Sequence, residues 1–357
     1  MRRRQTVSRL ADGMTHVPAF TLAELGWTDF YNEQVSAEEC QNTQPVRVTS
    51  VHRGRVTVSD GEFEESISSS FADQRGAEDR PTVGDWLLIE RNTRNIVRIL
   101  DRASLIKRPA PGDDRRVQLI AANVDTLFVV SSCDQDFNIA RLERYLVLTH
   151  EAGVRPVLVL TKADLSRAPE RFIEAARALQ AGLRVELVNG RDPSSVARLA
   201  SHCGIGETVA LVGSSGVGKS TLINTLMGSN NIATQAVRED DGKGLHTTTV
   251  REMHRIAGDS GGGWLVDTPG MRELQMSEVA SGVSEVFDDV TAVALDCRFA
   301  NCTHTDEPGC AIHAAVAAGS LDPARFERWR KLAQEEAENS STAAVRNSRP
   351  GRTSSRR

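Results

Sequence analysis

The segment Gly213-Ser-Ser-Gly-Val-Gly-Lys-Ser-Thr221 constrains this chain more than any other. It matches the phosphate-loop spacing G-x-x-x-x-G-K-[ST] and stands in the context that loop requires. The strand-like run Val209-Ala-Leu-Val precedes it, and Thr221-Leu-Ile-Asn-Thr-Leu, which reads as a helix, follows. Gly213, Gly216 and Gly218 let backbone N–H groups turn inward around phosphate oxygens, with Ser214, Ser215 and Val217 completing the turn. The N-terminus of the following helix adds its partial positive charge. Lys219 is expected to contact the β- and γ-phosphates, Ser220 to ligate Mg²⁺, and Thr221 to close the loop. An accidental Gly/Ser-rich turn has no reason to sit between a strand and a helix. The loop therefore predicts a bound nucleotide and a parallel α/β sheet.

Which nucleotide is addressed by Thr161-Lys162-Ala163-Asp164, directly after the apolar run ending at Leu160. Strand ends are where open α/β sheets place ligand loops. The four residues resemble the guanine-specificity motif Asn-Lys-x-Asp of GTPases, with Thr161 in place of Asn. Asp164 can accept from N1–H and the exocyclic amine of guanine, a donor pair adenine lacks, and the stem of Lys162 can lie against the base. A helix-capping turn is the plainer alternative. Asp267-Thr-Pro-Gly270 follows Trp264-Leu-Val and has the Asp-x-x-Gly form that holds Mg²⁺ through water and senses the γ-phosphate. Its alternative is a tight Asp-x-Pro-Gly turn. Between the two lies Gly244-Leu-His246-Thr-Thr248-Thr249, which supplies switch candidates, or else a Thr-rich strand start.

The order of these segments is informative. In common GTPases the phosphate loop comes first and the base-reading motif late. Here Thr161–Asp164 precedes Gly213, which precedes His246–Thr249 and then Asp267–Gly270. Taken together, the four predict a circularly permuted G domain over residues 104–276. Its buried-type strands at 124–130, 156–160, 184–188 and 208–212 alternate with helical stretches at 139–153, 170–181 and 193–202, as a parallel sheet covered on both faces requires.

The flanking regions differ in texture. Thr21-Leu-Ala-Glu-Leu-Gly26, within an N-terminal extension over 1–44, reads as a short capped helix. Residues 45–103 carry five short β-like runs punctuated by glycine and predict a small OB-like β-barrel, with an SH3-like barrel or a ligandless β-subdomain as alternatives. Arg47, Arg53, Arg55, Arg91 and Arg94 fall on this unit and read as scattered surface charge. Residues 277–338 read as a small helical domain, with Asp322 and Pro323 opening its last helix. The Ser-, Asn- and Arg-rich stretch 339–357 is expected to be a disordered tail.

Three of the six cysteines cluster as Cys297-x₄-Cys302-x-His304-x₅-Cys310. Three thiolates and one imidazole suit a closed, tetrahedral structural Zn²⁺ site with no open position for catalysis. His313 is a rival for the imidazole, and unmetallated cysteines or a disulfide are weaker alternatives.

A rearranged GTPase with a β-barrel before it and a Cys/His cluster behind it resembles the RsgA family of small ribosomal subunit biogenesis GTPases, over roughly residues 45 to 333. The resemblance selects His304 as the fourth zinc ligand, through the family pattern Cys-x₄-Cys-x-His-x₅-Cys. It implies a multidomain α/β protein that binds GTP/GDP with Mg²⁺ and one structural Zn²⁺. It also implies slow intrinsic hydrolysis stimulated by the 30S subunit, with barrel and zinc domain gripping 16S rRNA. A Gln after Asp-x-x-Gly orients water in Ras-type enzymes; here that position is Met271. His246, which matches a His in the family motif Gly-x-His-Thr-Thr-Thr, and Lys219 are the catalytic candidates, although an exposed switch histidine is an equal reading of His246. The alternatives are a nucleotide-gated rRNA-binding assembly factor in which hydrolysis is incidental, and a P-loop ATPase.

Charge and hydropathy limit the rest. The 43 Lys and Arg against 48 Asp and Glu give a net charge of −5. That excludes a protein held on RNA by charge alone, although Lys107-Arg108, Arg115-Arg116, Arg352, Arg356 and Arg357 form local basic points. No apolar run approaches the roughly 20 residues of a membrane span. The stretch Leu10–Leu25 is broken by Asp12, His16 and Glu24, so no signal peptide is expected. A cytoplasmic monomer is the expectation.

Overall fold

The computed structural model describes residues 20–72, 74, 76, 78–109, 117–228, 251–256, 262–267 and 280–347. Near its start, Thr21 and Glu24 form a reciprocal cap: the Thr21 amide donates to Glu24 at 2.9 Å and the Glu24 amide to Thr21 Oγ1 at 3.2 Å. The expected helix is nevertheless only a turn, because Gly26 takes a φ of +95° and the chain reverses there. Two short helices follow, α1 (Asp29–Asn32) and α2 (Ala37–Asn42), the second opened by a Ser36/Glu39 capping box.

Five antiparallel strands come next: β1 (Thr43–His52), β2 (Arg55–Ser59), β3 (Glu64–Ser68), β4 (Trp86–Glu90) and β5 (Ile96–Ile99). They pair in the order β3-β2-β1-β4-β5. Alternation along them buries Val46, Val48, Val56, Val58, Leu87, Ile89 and Ile96 on one face. These are the five strands the glycine-punctuated runs predict. A hairpin, β6 (Leu105–Pro109) with β7 (Val117–Ala122), then carries the chain onward.

Arg47 departs from its expected place on the surface. It is 1% exposed, and its guanidinium donates to the carbonyls of Leu25, Gly84 and Asn123 and to Thr208 Oγ1. It lies on β1 where the N-terminal turn, the five-stranded unit and the following sheet meet, so the polar groups of three segments enclose it.

The next elements alternate: β8 (Thr126–Ser132), α3 (Ile139–Glu151), β9 (Arg155–Thr161), α4 (Glu170–Arg177), β10 (Arg184–Leu187), α5 (Pro193–Val196), β11 (Thr208–Val212) and α6 (Lys219–Leu226). Then come β12 (Arg251–Arg255) and β13 (Trp264–Asp267). The strands order as β10-β9-β8-β11-β13-β12, parallel except for β12 against β13. Seven of seven positions in β8 are buried, as a strand covered on both faces demands. β12 also pairs antiparallel with β1, Ser50 opposite Glu252 and Val51 opposite Arg251, so both units share one hydrogen-bonded sheet.

Four helices end the described chain: α7 (Ala280–Val286), α8 (Asp288–Leu295), α9 (Ala311–Ala317) and α10 (Pro323–Asn347). α10 runs past residue 338, where the sequence pattern predicts a disordered tail to begin. Glu335, Glu336, Ala337, Ala343 and Ala344 are strong helix formers, and no Gly or Pro interrupts them before Pro350. The remainder of that tail, with its terminal arginines, lies outside the described residues, as do Arg115 and Arg116. Among the described residues no helix is long and apolar enough to cross a membrane.

Candidate functional site: a phosphate loop, a base loop and a Cys/His cluster

The sheet brings three separated motifs to one edge. Thr161 ends β9, Gly213 follows the end of β11, and Asp267 ends β13. In register, Ser132 of β8 lies opposite Thr161, Val212 of β11 opposite Val129, and Val266 of β13 opposite Ala210. The C-terminal ends of parallel strands are where such sheets bind ligands.

The phosphate loop runs from Gly213 into α6, with Gly213, Gly216 and Gly218 all at positive φ. A Cβ on Gly213 would collide with the Val130 carbonyl, so only glycine lets the loop pass this close to β8. Lys219 Nζ donates to the carbonyls of Gly213 and Ser214, each at 2.6 Å. Ser214 Oγ accepts from Arg141 of α3 at 2.5 Å, and Tyr145, one turn further along α3, faces the same hydroxyl. Pattern reading missed Arg141 and Tyr145. Their i, i+4 spacing on a helix was the signal available, but nothing local says which face of α3 meets the loop.

The base loop has a division of labour. Thr161 is 2% exposed, and its hydroxyl donates to the Val217 carbonyl at 2.5 Å, with Ser131 O at 3.2 Å. Its side chain is thus committed to the phosphate loop rather than to a base. Lys162 adopts a left-handed φ of +55° and its ammonium meets Asp134 Oδ2 at 2.9 Å. Burial alone would raise the Asp134 carboxyl. Hydrogen bonds from Lys162, Ser132 and the Asp136 amide outweigh it and hold the group below its ordinary range. Ala163 and Asp164 begin a short 3₁₀ turn, and Asp164 is exposed. Beyond β10, Thr225 Oγ1 of α6 donates to the Gly190 carbonyl at 2.7 Å, tying that loop to the helix that follows the phosphate loop.

His246, Thr248, Gly270 and Met271 lie outside the described residues. Asp267 is half-buried at the end of β13, the strand paired with β11.

The second site lies between α8 and α9. The ligand atoms of Cys297, Cys302, His304 and Cys310 all lie within 4.8 Å of one another. His304 Nδ1 is 3.5 Å from Cys297 Sγ and 3.6 Å from Cys310 Sγ. His304 holds a left-handed backbone with φ of 56°. The rival, His313, instead bonds the His304 carbonyl at 3.1 Å. The Ala311 amide donates to Cys297 Sγ at 3.3 Å, an N–H···S bond of the kind that supports a thiolate. The donor set and its spacing fit a tetrahedral zinc ion.

Residues 99–277 match the family model described as RsgA GTPase. A small ribosomal subunit biogenesis GTPase RsgA of Mesorhizobium japonicum is 49% identical over 89% of this chain and 91% of its own length. An RsgA 2 of Vibrio vulnificus is 45% identical over 94% of each chain. Among solved structures, YjeQ from Thermotoga maritima is 26% identical with a TM-score of 0.58, covering 83% of this chain and 99% of that one. YloQ, described as a circularly permuted GTPase, shares the fold at a TM-score of 0.58 and 22% identity, over 85% of this chain and 98% of its own. With its three motif loops on one sheet edge in permuted order, the chain belongs to the RsgA GTPase family.

Proposed function

We propose that this GTPase binds the 30S ribosomal subunit and assists its late maturation, using GTP hydrolysis to reset its binding. The observation that carries the reading is the permuted order of Thr161–Asp164, Gly213–Thr221 and Asp267 at one sheet edge, in a chain 49% identical to a small ribosomal subunit biogenesis GTPase. In this reading Gly213–Thr221 cradles the phosphates and Lys219 neutralises the β- and γ-oxygens. Ser220 and Asp267 hold Mg²⁺, with Thr248 and Gly270 as the switch contacts. Asp164 reads guanine and Lys162 covers it. Thr161 braces the loop from behind. Cys297, Cys302, His304 and Cys310 hold one structural zinc. The domains divide as an OB-like unit over 45–103, a permuted G domain over 104–276 and a zinc-binding helical domain from 277. The protein works as a cytoplasmic monomer.

Contact with 16S rRNA is favoured by a cleft of about 630 Å³ between the β1–β2 hairpin and β7/β12. His52, Arg53, Arg80 and Arg251 line it, with no carboxylate among its described lining residues. Burial and then the neighbouring Arg108 push the Arg251 guanidinium down from its ordinary value, so cations are concentrated here despite the net charge of −5. A phosphodiester backbone relieves that repulsion.

The test is GTP turnover with and without purified 30S subunits, across salt. Stimulation by 30S, together with binding that weakens as salt rises, is expected; turnover indifferent to 30S overturns the reading. His246→Ala should impair the stimulated rate more than GTP affinity. Asp164→Asn should weaken GTP against ATP in competition, and unchanged selectivity would return the ATPase reading.

A further inference from the structure

Helix α3 presents two faces to two different parts of the molecule. One carries Arg141, which holds the Ser214 side chain of the phosphate loop, with Tyr145 facing the same hydroxyl. The other is clamped by the C-terminal helices. Glu143 is fully buried and accepts from Arg328 Nε at 2.7 Å and Arg325 Nη1 at 3.2 Å, both from α10. Arg144 pairs with Glu335 at 2.8 Å. His150 meets Glu285 of α7 at 2.6 Å. Gly282 of α7 packs so close that a Cβ would strike the Val147 carbonyl. α10 in turn braces the Cys/His cluster, since the Trp329 ring stands edge-on to His304 with centroids 5.5 Å apart.

Ser214 is therefore gripped twice. α3 holds its hydroxyl, and Lys219 holds its carbonyl at 2.6 Å. Nucleotide phosphates compete for the same Lys219 protons. A charge-assisted bond to phosphate is the stronger, so occupancy of the loop removes one of the two grips on Ser214 and leaves α3 with the other.

We propose that α3 is a coupling rod between the phosphate loop and the C-terminal helices, so that phosphates at Lys219 change how firmly α10 and the Cys/His cluster are held. Arg141, with Tyr145 beside it, is the positioning residue at one end of the rod, and Glu143 with Arg325 and Arg328 forms the latch at the other. The proposal rests on Gly213–Thr221 being the nucleotide site. Linkage makes the effect reciprocal: loosening the latch must change nucleotide affinity by the factor by which nucleotide changes the latch.

The experiment combines hydrogen exchange of α10 peptides with titration of fluorescent GDP and a non-hydrolysable GTP analogue, on the full chain. In the wild type, saturating nucleotide should change α10 exchange by about fivefold or more, the low end of allosteric couplings. In Arg141→Ala/Tyr145→Phe that change should largely vanish at saturating nucleotide. Arg328→Gln, remote from the loop, should shift nucleotide affinity by a similar factor and carries the test if the double variant does not fold. Arg330→Gln breaks a pair inside α10, with Glu327, and should leave the response intact. A wild type that binds nucleotide with no change in α10, or a saturated double variant with the full change, overturns the proposal. A wild type that binds no nucleotide removes the site reading itself, which the titration reports independently.

Discussion

The Thr161 hydroxyl donates to the Val217 carbonyl at 2.5 Å, joining the end of β9 to the middle of the phosphate loop. The residue that departs from the Asn-Lys-x-Asp pattern thus fixes the loop rather than the base. A buried carbonyl turned away from water needs such a donor. In Thr161→Val, which keeps the shape and removes the proton, Val217 O is left without it. Stability should fall by about 1–2 kcal/mol, and GDP affinity should fall with it as the loop loses its set. Urea unfolding and fluorescent GDP titration measure both. A variant equal to wild type in each would show the hydroxyl to be idle.

The Cys/His cluster leads to a prediction about metal content. Purified protein should carry about one zinc per chain, held by all four donors as closed structural sites are. Cys302→Ser should lose most of it and raise exchange in α8–α10. Thiolate ligands must be deprotonated, so zinc should leave as pH falls, and the loss should track the exchange. Full zinc retention in Cys302→Ser would move the site elsewhere. His313→Ala should keep the metal, because His313 touches the His304 carbonyl and not the ligand atoms.

Glu39 closes the capping box of α2 and receives Arg98 Nε at 2.8 Å. The bond from Arg98, and then the Ser36 amide, hold its carboxyl down at about 2. A carboxylate whose folded pKa lies below its unfolded value stabilises the fold above the unfolded value, and that contribution is lost as pH falls toward the folded one. Wild type should therefore melt above Glu39→Gln at pH 7. The gap should close between the ordinary value of 4.5 and about 2. A gap independent of pH across that window would show that the ionised carboxylate does not carry the difference.

The features legible in the sequence are those whose residues are neighbours along it. Gly213–Thr221 and Cys297–Cys310 each hold their chemistry in one short segment, so spacing alone suffices. The five strands before residue 100 were legible because glycines bound them. β12 was not: Arg-Glu-Met-His-Arg buries only Met253, and its strand character comes from pairing with β13 and β1. Arg141 and Glu143 share a helix the pattern does predict, but their partners lie more than 70 positions away at Ser214 and more than 180 at Arg325 and Arg328. Local periodicity carries no information over such separations.

Arg47 is the instructive failure, since charge suggests a surface that the structure denies it. Its planar fork reaches four acceptors: the Gly84 carbonyl at 3.3 Å, Asn123 O at 3.1 Å, Thr208 Oγ1 at 2.8 Å, and Leu25 O. Burial pushes the guanidinium down, with the Asp125 and Asp85 carboxyls among the groups opposing it. Lysine keeps a charge but has a single nitrogen, which cannot span acceptors arrayed around a fork. Arg47→Lys should leave at least one buried carbonyl unpaired and lower stability by roughly 2–4 kcal/mol. Because those acceptors belong to the N-terminal turn, the strand unit and the parallel sheet, all three should loosen together. Limited proteolysis between residues 20 and 43 should accelerate alongside a lower thermal midpoint. A lower midpoint with unchanged cleavage would confine Arg47 to the stability of β1 and deny it the role of joining the three segments.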